Sequence, residues 1–255
     1  MWGDNMKFDV PVPCFYGKLD FCDAIREIGK AGFDAAETYD WKTLDLEKVK
    51  NTCDEAGVKL ISMCTSDFNL TEPENREHWL RCLDESCKAA NRAGAGMLIT
   101  QVGADTAKER EYQHESIVSG LTAAKPVLEK YGVTLMIEPL NTIVDHKGYY
   151  LTSSREAFDI IRETDSPFVK VVFDIYHQQI TEGNIIPNIL NNLDLIAHLH
   201  CAGHPGRHEL QKGENNYKFI FEEIDKAGYE GYCGLEYSPT VSPEESLAQF
   251  RKDYL

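Results

Sequence analysis

Four apolar runs in this chain stop on a side chain that can bind a cation or carry a proton. TLMIE ends on Glu138, KVVFD on Asp174, LIAHLH on His200 and YCGLE on Glu236. The steps between them are 36, 26 and 36 residues, each about the length of one strand–helix unit. On four consecutive strands of one parallel sheet, those ends come together. Three carboxylates brought that close do not all ionise unaided, because each disfavours the charged form of the others. A divalent cation removes the conflict. An oxygen-rich set with a single imidazole suits Mn²⁺ or Mg²⁺ and accepts Co²⁺, whereas Zn²⁺ favours thiolates or several imidazoles. Any one of the four could cap its strand or pair with a surface cation; all four in register argue for a site.

Further candidates lie around these ends. HLHCAGHPGRHEL, residues 198–210, holds four of the eight histidines. His198 precedes His200 by two residues, so both point to one side of a pleated strand. It reads as a packed imidazole deeper in the sheet. His204 and His208 read as solvated loop residues. Arg207, in the same loop, could hold a substrate hydroxyl or carboxylate with two donors. Phe15 and Tyr16 end the first apolar run and Phe68 follows the third, so these aromatics are candidate pocket walls, as are Trp2, Trp41 and Trp79. Glu37 ends a second run and could orient polar partners; Gln101 ends a fourth. DHKGYY, residues 145–150, could cover a pocket.

The elements that would position these groups show a faint repeat. IGKAGFDAAE, CDEAGVKLIS, NRAGAGMLIT, EKYGVTLMIE and IDKAGYEGYCGLE each read as a helix end, a glycine, then an apolar strand. Gly32, Gly57, Gly94, Gly132 and Gly228 occupy the position after a helix where a left-handed residue is favoured. Eight strands follow from this rhythm: 8–16, 33–39, 58–65, 95–103, 133–139, 169–176, 195–203 and 232–238. Helical segments fall between them, one opening at Asp20 and another at Ser153 or Ser154 as N-caps. Apolar strands alternating with helices predict a single (β/α)8 TIM barrel spanning residues 1–255, with the site at the carboxyl ends of the strands. A doubly wound open sheet is the alternative. The chain has neither a GxGxxG nor a GxxxxGK[ST] loop, which such a fold usually carries.

Composition narrows the partners. At 255 residues and a formal net charge of −16, the surface repels nucleic acid and anionic membrane. The opening MWGDNMKFDV lacks the basic-then-apolar pattern of a signal peptide, no stretch is apolar enough to span a bilayer, and eight scattered cysteines suggest reduced thiols. These features predict a soluble cytoplasmic protein acting on a small molecule.

MIEPLNT, FDIYHQQITEGN, AHLHCAGHPGRHE, GENNY and GLEYSP resemble the hydroxypyruvate isomerase branch of the xylose-isomerase-like sugar isomerases and epimerases. The likeness is strong from about Glu138 to Pro239, and before that rests on the strand–helix rhythm and phrases such as KAGFDAAE. It implies that Glu138, Asp174, His200 and Glu236 bind one divalent metal ion, and that Glu138 and Glu236 also serve as catalytic acid and base. His177 matches a substrate-binding histidine and Arg207 a substrate-binding arginine, with Glu209 beside it. The hydroxypyruvate isomerase pattern has Gln where this chain has His200; His there is the pattern of the ketose 3-epimerases. A homodimer or tetramer is common in the family.

The chemistry so implied starts with an α-hydroxy carbonyl substrate, whose adjacent oxygens can chelate a cation that stabilises a developing enediolate. A carboxylate takes the proton from the carbon between them. Return to the neighbouring carbon gives aldose–ketose isomerisation, and return to the opposite face gives epimerisation. Dehydration of a keto-inositol on the same scaffold, and a non-catalytic sugar- and metal-binding barrel, are the more distant readings. A metal-dependent endonuclease is disfavoured by the acidic charge.

Overall fold

The first strand stops where proline stops it. In the computed structural model, which describes residues 6–255, β1 runs Lys7–Pro11 and the chain turns at once into a short helix, α1, Val12–Tyr16. The expectation of one strand over residues 8–16 is corrected here. Pro11 and Pro13 have no N–H for a sheet ladder, while Pro13 fits the first helical turn, where N–H groups are unpaired anyway. Trp2 lies outside the described residues.

The remaining strands are β2 Ala35–Thr38, β3 Lys59–Cys64, β4 Met97–Thr100, β5 Thr134–Ile137, β6 Val169–Asp174, β7 Ile196–Cys201 and β8 Tyr232–Leu235. Each pairs in parallel with the next, and β8 pairs with β1, closing the predicted (β/α)8 barrel. The outer layer comprises α2 Phe21–Lys30, α3 Leu46–Ala56, α4 Arg76–Ala93, α5 Arg110–Tyr131, α6 Ser154–Thr164, α7 Ile175–Thr181, α8 Ile185–Leu190, α9 Tyr217–Lys226 and α10 Pro243–Tyr254. Asp20 caps α2, accepting from the Cys22 N–H at 3.0 Å. The five repeat glycines all take positive φ; at Gly57 and Gly132 this left-handed residue ends a helix directly.

The main core lies between strands and helices, as β-strands covered on their outer face require. Inside the barrel the two halves differ. Cys64, Ile99, Met136 and Val172, from β3 to β6, pack as a small apolar cluster of their own. Asp9, Glu37, Ser62 and His198, from β1, β2, β3 and β7, are buried polar groups. One side of the mouth therefore stands on hydrocarbon and the other on buried polar side chains. All eight cysteines are free, and none of the described helices is long and apolar enough to cross a membrane.

Candidate active site

Where β6 ends, one carboxylate does two jobs. Asp174 is both the last strand residue and the N-cap of α7; its Oδ1 accepts the backbone N–H of Tyr176 at 2.7 Å and of His177 at 3.3 Å. An N-cap oxygen satisfies helix donors that have no partner within the helix. The expected strand 169–176 is thus two residues too long, and the turn into α7 places His177 against the same site. Asp174 Oδ2 is left buried with no hydrogen-bond partner, 3.4 Å from His177 Nε2 and 3.6 Å from an Arg207 nitrogen.

Glu138 and Glu236 each stand one residue past their strand. One carboxylate oxygen from each of Glu138, Asp174 and Glu236, with a nitrogen of His177, lies within 4.8 Å of the others. His200 Nδ1 is 3.3 Å from Glu138 Oε1 and 3.3 Å from Glu236 Oε2. The four strand-end residues named from sequence thus come together, with His177 among them. Glu138, His177, His200 and Glu236 line one end of a cavity of about 650 Å³ lined also by Tyr39, Trp41, Phe68, Gln101, His146 and Arg207.

The two histidines differ in which nitrogen faces the carboxylates of the site. At His177, Nδ1 receives the Asn141 backbone N–H at 3.3 Å and faces the Asn141 amide nitrogen at 2.6 Å. A nitrogen that accepts carries no proton, so Nε2 bears the N–H and turns a donor toward Asp174 and the cavity. At His200 the order is reversed. Nε2 faces the Glu37 carboxylate at 3.0 Å and is the donor there, which leaves Nδ1 toward Glu138 and Glu236. Glu37 is itself held by the Ser62 hydroxyl at 2.5 Å. A Cβ on Gly234 would come within 2.6 Å of Glu37 Oε1 and 2.8 Å of His200 Cδ2, so β8 makes room for this pair only because it has glycine there.

Charge is finely opposed. Burial and then Glu236 raise Asp174 to about 7, against Arg207 and His200. Burial alone would raise Glu236, but Arg207 and His200 overrule it and hold this carboxylate well below its ordinary range. Burial would likewise lower His200, yet Glu37 and Glu236 push it well above 6.5. Burial, then Arg207, lowers His177 to about 3, so it is neutral at any ordinary pH. Three buried carboxylates, an imidazole nitrogen aimed between them and the orphaned Asp174 Oδ2 fit a divalent cation.

Arg207 Nη2 donates to Glu236 Oε2 at 2.5 Å, and the guanidinium lies 5.0 Å over the Tyr176 ring. Phe68 lines the cavity and remains 44% exposed. Phe15 and Glu209 are placed elsewhere. Phe15 is buried edge-on against Tyr237, outside the cavity lining. Glu209 Oε1 accepts the Thr240 N–H at 2.8 Å and Oε2 the Thr240 hydroxyl at 2.9 Å. Trp79 is fully buried in α4 and Tyr16 lies outside this cavity, while Trp41 is a wall. His198 sits beneath His200, its Nε2 3.6 Å from Glu37 and 3.7 Å from Asp9. His204 and His208 are half-buried rather than solvated, and His208 Nδ1 meets the Ser238 carbonyl at 2.8 Å.

Sequence reasoning missed Tyr39 and Asn141. The Tyr39 hydroxyl donates to Glu236 Oε1 at 2.6 Å. Its signal was available: it follows Glu37 by two residues, the spacing that keeps two side chains on one face of a strand. Asn141 closes the phrase EPLN, but its pairing with His177 depends on the turn after β5.

Residues 24–253 match the family model described as xylose isomerase-like TIM barrel. Hydroxypyruvate isomerase of Escherichia coli K12 is 28% identical over 254 residues, covering 95% of this chain and 97% of the relative. The 2-oxo-tetronate isomerase of Pectobacterium atrosepticum is 28% identical over 255 residues, covering 94% and 95%. Among solved structures, an AP endonuclease, family 2, from Brucella melitensis superimposes with a TM-score of 0.91 at 24% identity, covering 96% of this chain and 98% of that one. At that identity the likeness speaks for the fold alone.

Proposed function

The chain belongs to the xylose isomerase-like TIM barrel family, and from that premise we propose that it is a divalent-metal-dependent isomerase of a small hydroxy-carbonyl compound or sugar. Enzymes of sugar isomerase and epimerase type are its relatives along nearly the whole chain, which supports catalysis over a purely binding role. The observation that carries the reading is the meeting of Glu138, Asp174 and Glu236 beside Nδ1 of His200 at the end of the cavity. The whole length, 1–255, is read as one such barrel domain.

Glu138, Asp174, His200 and Glu236 would hold the cation, Mn²⁺ or Mg²⁺ by their oxygen-rich character, with Co²⁺ also accepted. When bound it supplies Lewis-acid polarisation of the substrate carbonyl. The chain's own groups do the rest. His177 presents its Nε2–H as a fixed donor to a substrate oxygen, since Asn141 occupies the other nitrogen. Arg207 offers further donors from above and keeps Glu236 ionised. Glu236, an ionised carboxylate aimed by Tyr39 and Arg207, removes the proton on the carbon beside the carbonyl. Glu138 returns a proton from the other side. Phe68 and Trp41 give the cavity an apolar wall that limits water at the carbanion-like centre. Phe15 and Glu209, both placed away from the cavity, act at one remove if they affect substrate at all.

A second reading, ketose 3-epimerase, is favoured by His200, which stands where the hydroxypyruvate isomerase pattern has Gln. Both outcomes share one enediolate and differ in where the proton returns. The net charge of −16 opposes a nucleic-acid substrate.

The test is NMR of the Mg²⁺-loaded protein in D₂O. Its panel runs from hydroxypyruvate and tartronate semialdehyde through ribulose and xylulose to psicose, tagatose and fructose. Deuterium should enter one substrate beside its carbonyl, and the product then separates isomerase from epimerase. Glu138→Gln and Glu236→Gln should each slow exchange by about 10²–10⁴-fold, the usual share of a general acid or base. No exchange with any member, with the cation verified as bound, would leave dehydration or simple binding as the better account.

A further inference from the structure

Away from the barrel mouth, three ligand-bearing side chains meet on the surface. Asp67 lies in the segment after β3, and His78 and Cys82 lie one turn apart on α4; one ligand atom from each lies within 4.8 Å of the others. Positions four residues apart on a helix share a face. His78 Nε2 is 3.6 Å from Cys82 Sγ and 3.8 Å from Asp67 Oδ2.

Those lengths can be compared with a metal polyhedron. With Zn–S of about 2.3 Å and Zn–N of about 2.0–2.1 Å, the sulfur–nitrogen edge of a tetrahedron is about 3.6 Å. The His78–Cys82 pair already has that edge. The nitrogen–oxygen edge of the same figure is about 3.4 Å, a few tenths of an ångström shorter than the His78–Asp67 distance, and Asp67 and Cys82 lie within 4.8 Å. The segment of Asp67 is already fastened to α4: the Ser66 N–H donates to Ser86 Oγ at 3.1 Å and the Ser66 hydroxyl to the Cys82 carbonyl at 3.4 Å.

We infer that Asp67, His78 and Cys82 form a second metal site, for one Zn²⁺ or Co²⁺ ion, separate from the site at the barrel mouth. Its S/N/O donor set suits borderline cations, whereas the mouth is oxygen-rich. Binding replaces the Cys82 S–H proton, which leaves to solvent as the metal–sulfur bond forms. His78, whose side chain is 64% exposed, leaves the fourth position open to water. Phe68, the residue after Asp67, is a wall of the cavity, so an ion tying Asp67 to α4 also steadies that wall.

The experiment is a Co²⁺ titration of the full chain in excess Mg²⁺, followed by absorption. One equivalent should produce a thiolate-to-cobalt charge-transfer band together with intense tetrahedral d–d bands. Asp174→Asn, altered only at the mouth, should keep both. Cys82→Ser should lose the charge-transfer band and His78→Gln should bind at least tenfold more weakly, with circular dichroism unchanged in each. The inference is overturned if wild type shows no thiolate band, or if the band survives in Cys82→Ser. Survival would assign the cobalt to Cys14 or Cys64, which line the main cavity.

Discussion

A histidine near a metal is defined by what holds its other nitrogen, and this site contains both cases. Asn141 occupies Nδ1 of His177 and makes its Nε2 a donor; Glu37 occupies Nε2 of His200 and turns its Nδ1 to Glu138 and Glu236. Carboxylates behind ligating imidazoles fix tautomer and ring angle, and losing one typically costs 10–100-fold in metal affinity or activity. The space for this pair depends on Gly234, whose missing Cβ would fall 2.6 Å from Glu37 Oε1. Neither neighbour is free to move away, since Glu37 is bonded to Ser62 and both are buried. Gly234→Ala is therefore expected to weaken Mn²⁺ binding about 10–100-fold, read by EPR of free Mn²⁺, with Glu138 and Glu236 themselves intact. Glu37→Gln should act in the same direction. An unchanged affinity in both would mean that His200 does not need this support. Glu37, the strand-end carboxylate, was legible in the sequence as an orienting group. The requirement for Gly234 was not, because it arises from the approach of β2 and β7 side chains to β8 across the barrel interior.

At the scale of elements, the loops after β7 and β8 behave as one unit. Glu209, from the first, grips Thr240 in the second through both oxygens and reaches the Ser246 hydroxyl on α10 at 3.4 Å. The Ser238 N–H returns a bond to the Arg207 carbonyl at 3.0 Å. This tie is what holds Arg207, at a positive φ of 55°, over Glu236. Removing a buried acceptor leaves its donors unpaired, at about 1–3 kcal/mol. Glu209→Ala should thus lower unfolding free energy by about that much in urea melts, while KM for exchange changes less than twofold. A tenfold rise in KM with unchanged stability would instead make Glu209 a substrate contact. The sequence made the unit hard to see. RHE reads as three consecutive polar residues, yet the loop's left-handed turn sends Arg207 inward and Glu209 sideways. Strand–helix alternation, by contrast, was legible in nearly every unit, because apolar runs and helix-ending glycines are local signals. Two of its errors fell where a local rule changes within a run: proline ended β1 early, and an N-capping aspartate turned the end of the sixth run into α7.

Across the whole molecule, folding gathers carboxylates that an acidic chain would otherwise keep apart, and pH should reveal how that charge is balanced. Asp174 is raised to about 7, so between about 4 and 7 the folded protein holds a proton that the unfolded chain has lost. This contribution to stability is present below about 4 and fades as pH rises through 7. His177 is lowered to about 3 and works in the opposite sense: its contribution is present above the ordinary value of 6.5 and fades as pH falls toward 3. Between about 4 and 6.5 the two nearly cancel, so these groups alone leave the cation-free protein with a flat profile there. Divalent cation breaks the balance, because the Asp174 proton must leave when the carboxylate coordinates. Apparent affinity should therefore climb by at least about tenfold per pH unit up to 7, and go on rising above it because His200, held well above 6.5, must also give up its Nδ1 proton to coordinate. At a hundredfold excess over Kd the gain is about 2.7 kcal/mol, which for a chain of this size corresponds to a Tm rise of about 5–10 °C. Thermal melts at one fixed Mn²⁺ concentration between pH 5.5 and 8 should show that rise shrinking as pH falls. A shift independent of pH, or one largest in acid, would mean that Asp174 keeps its proton when the cation binds and does not ligate it.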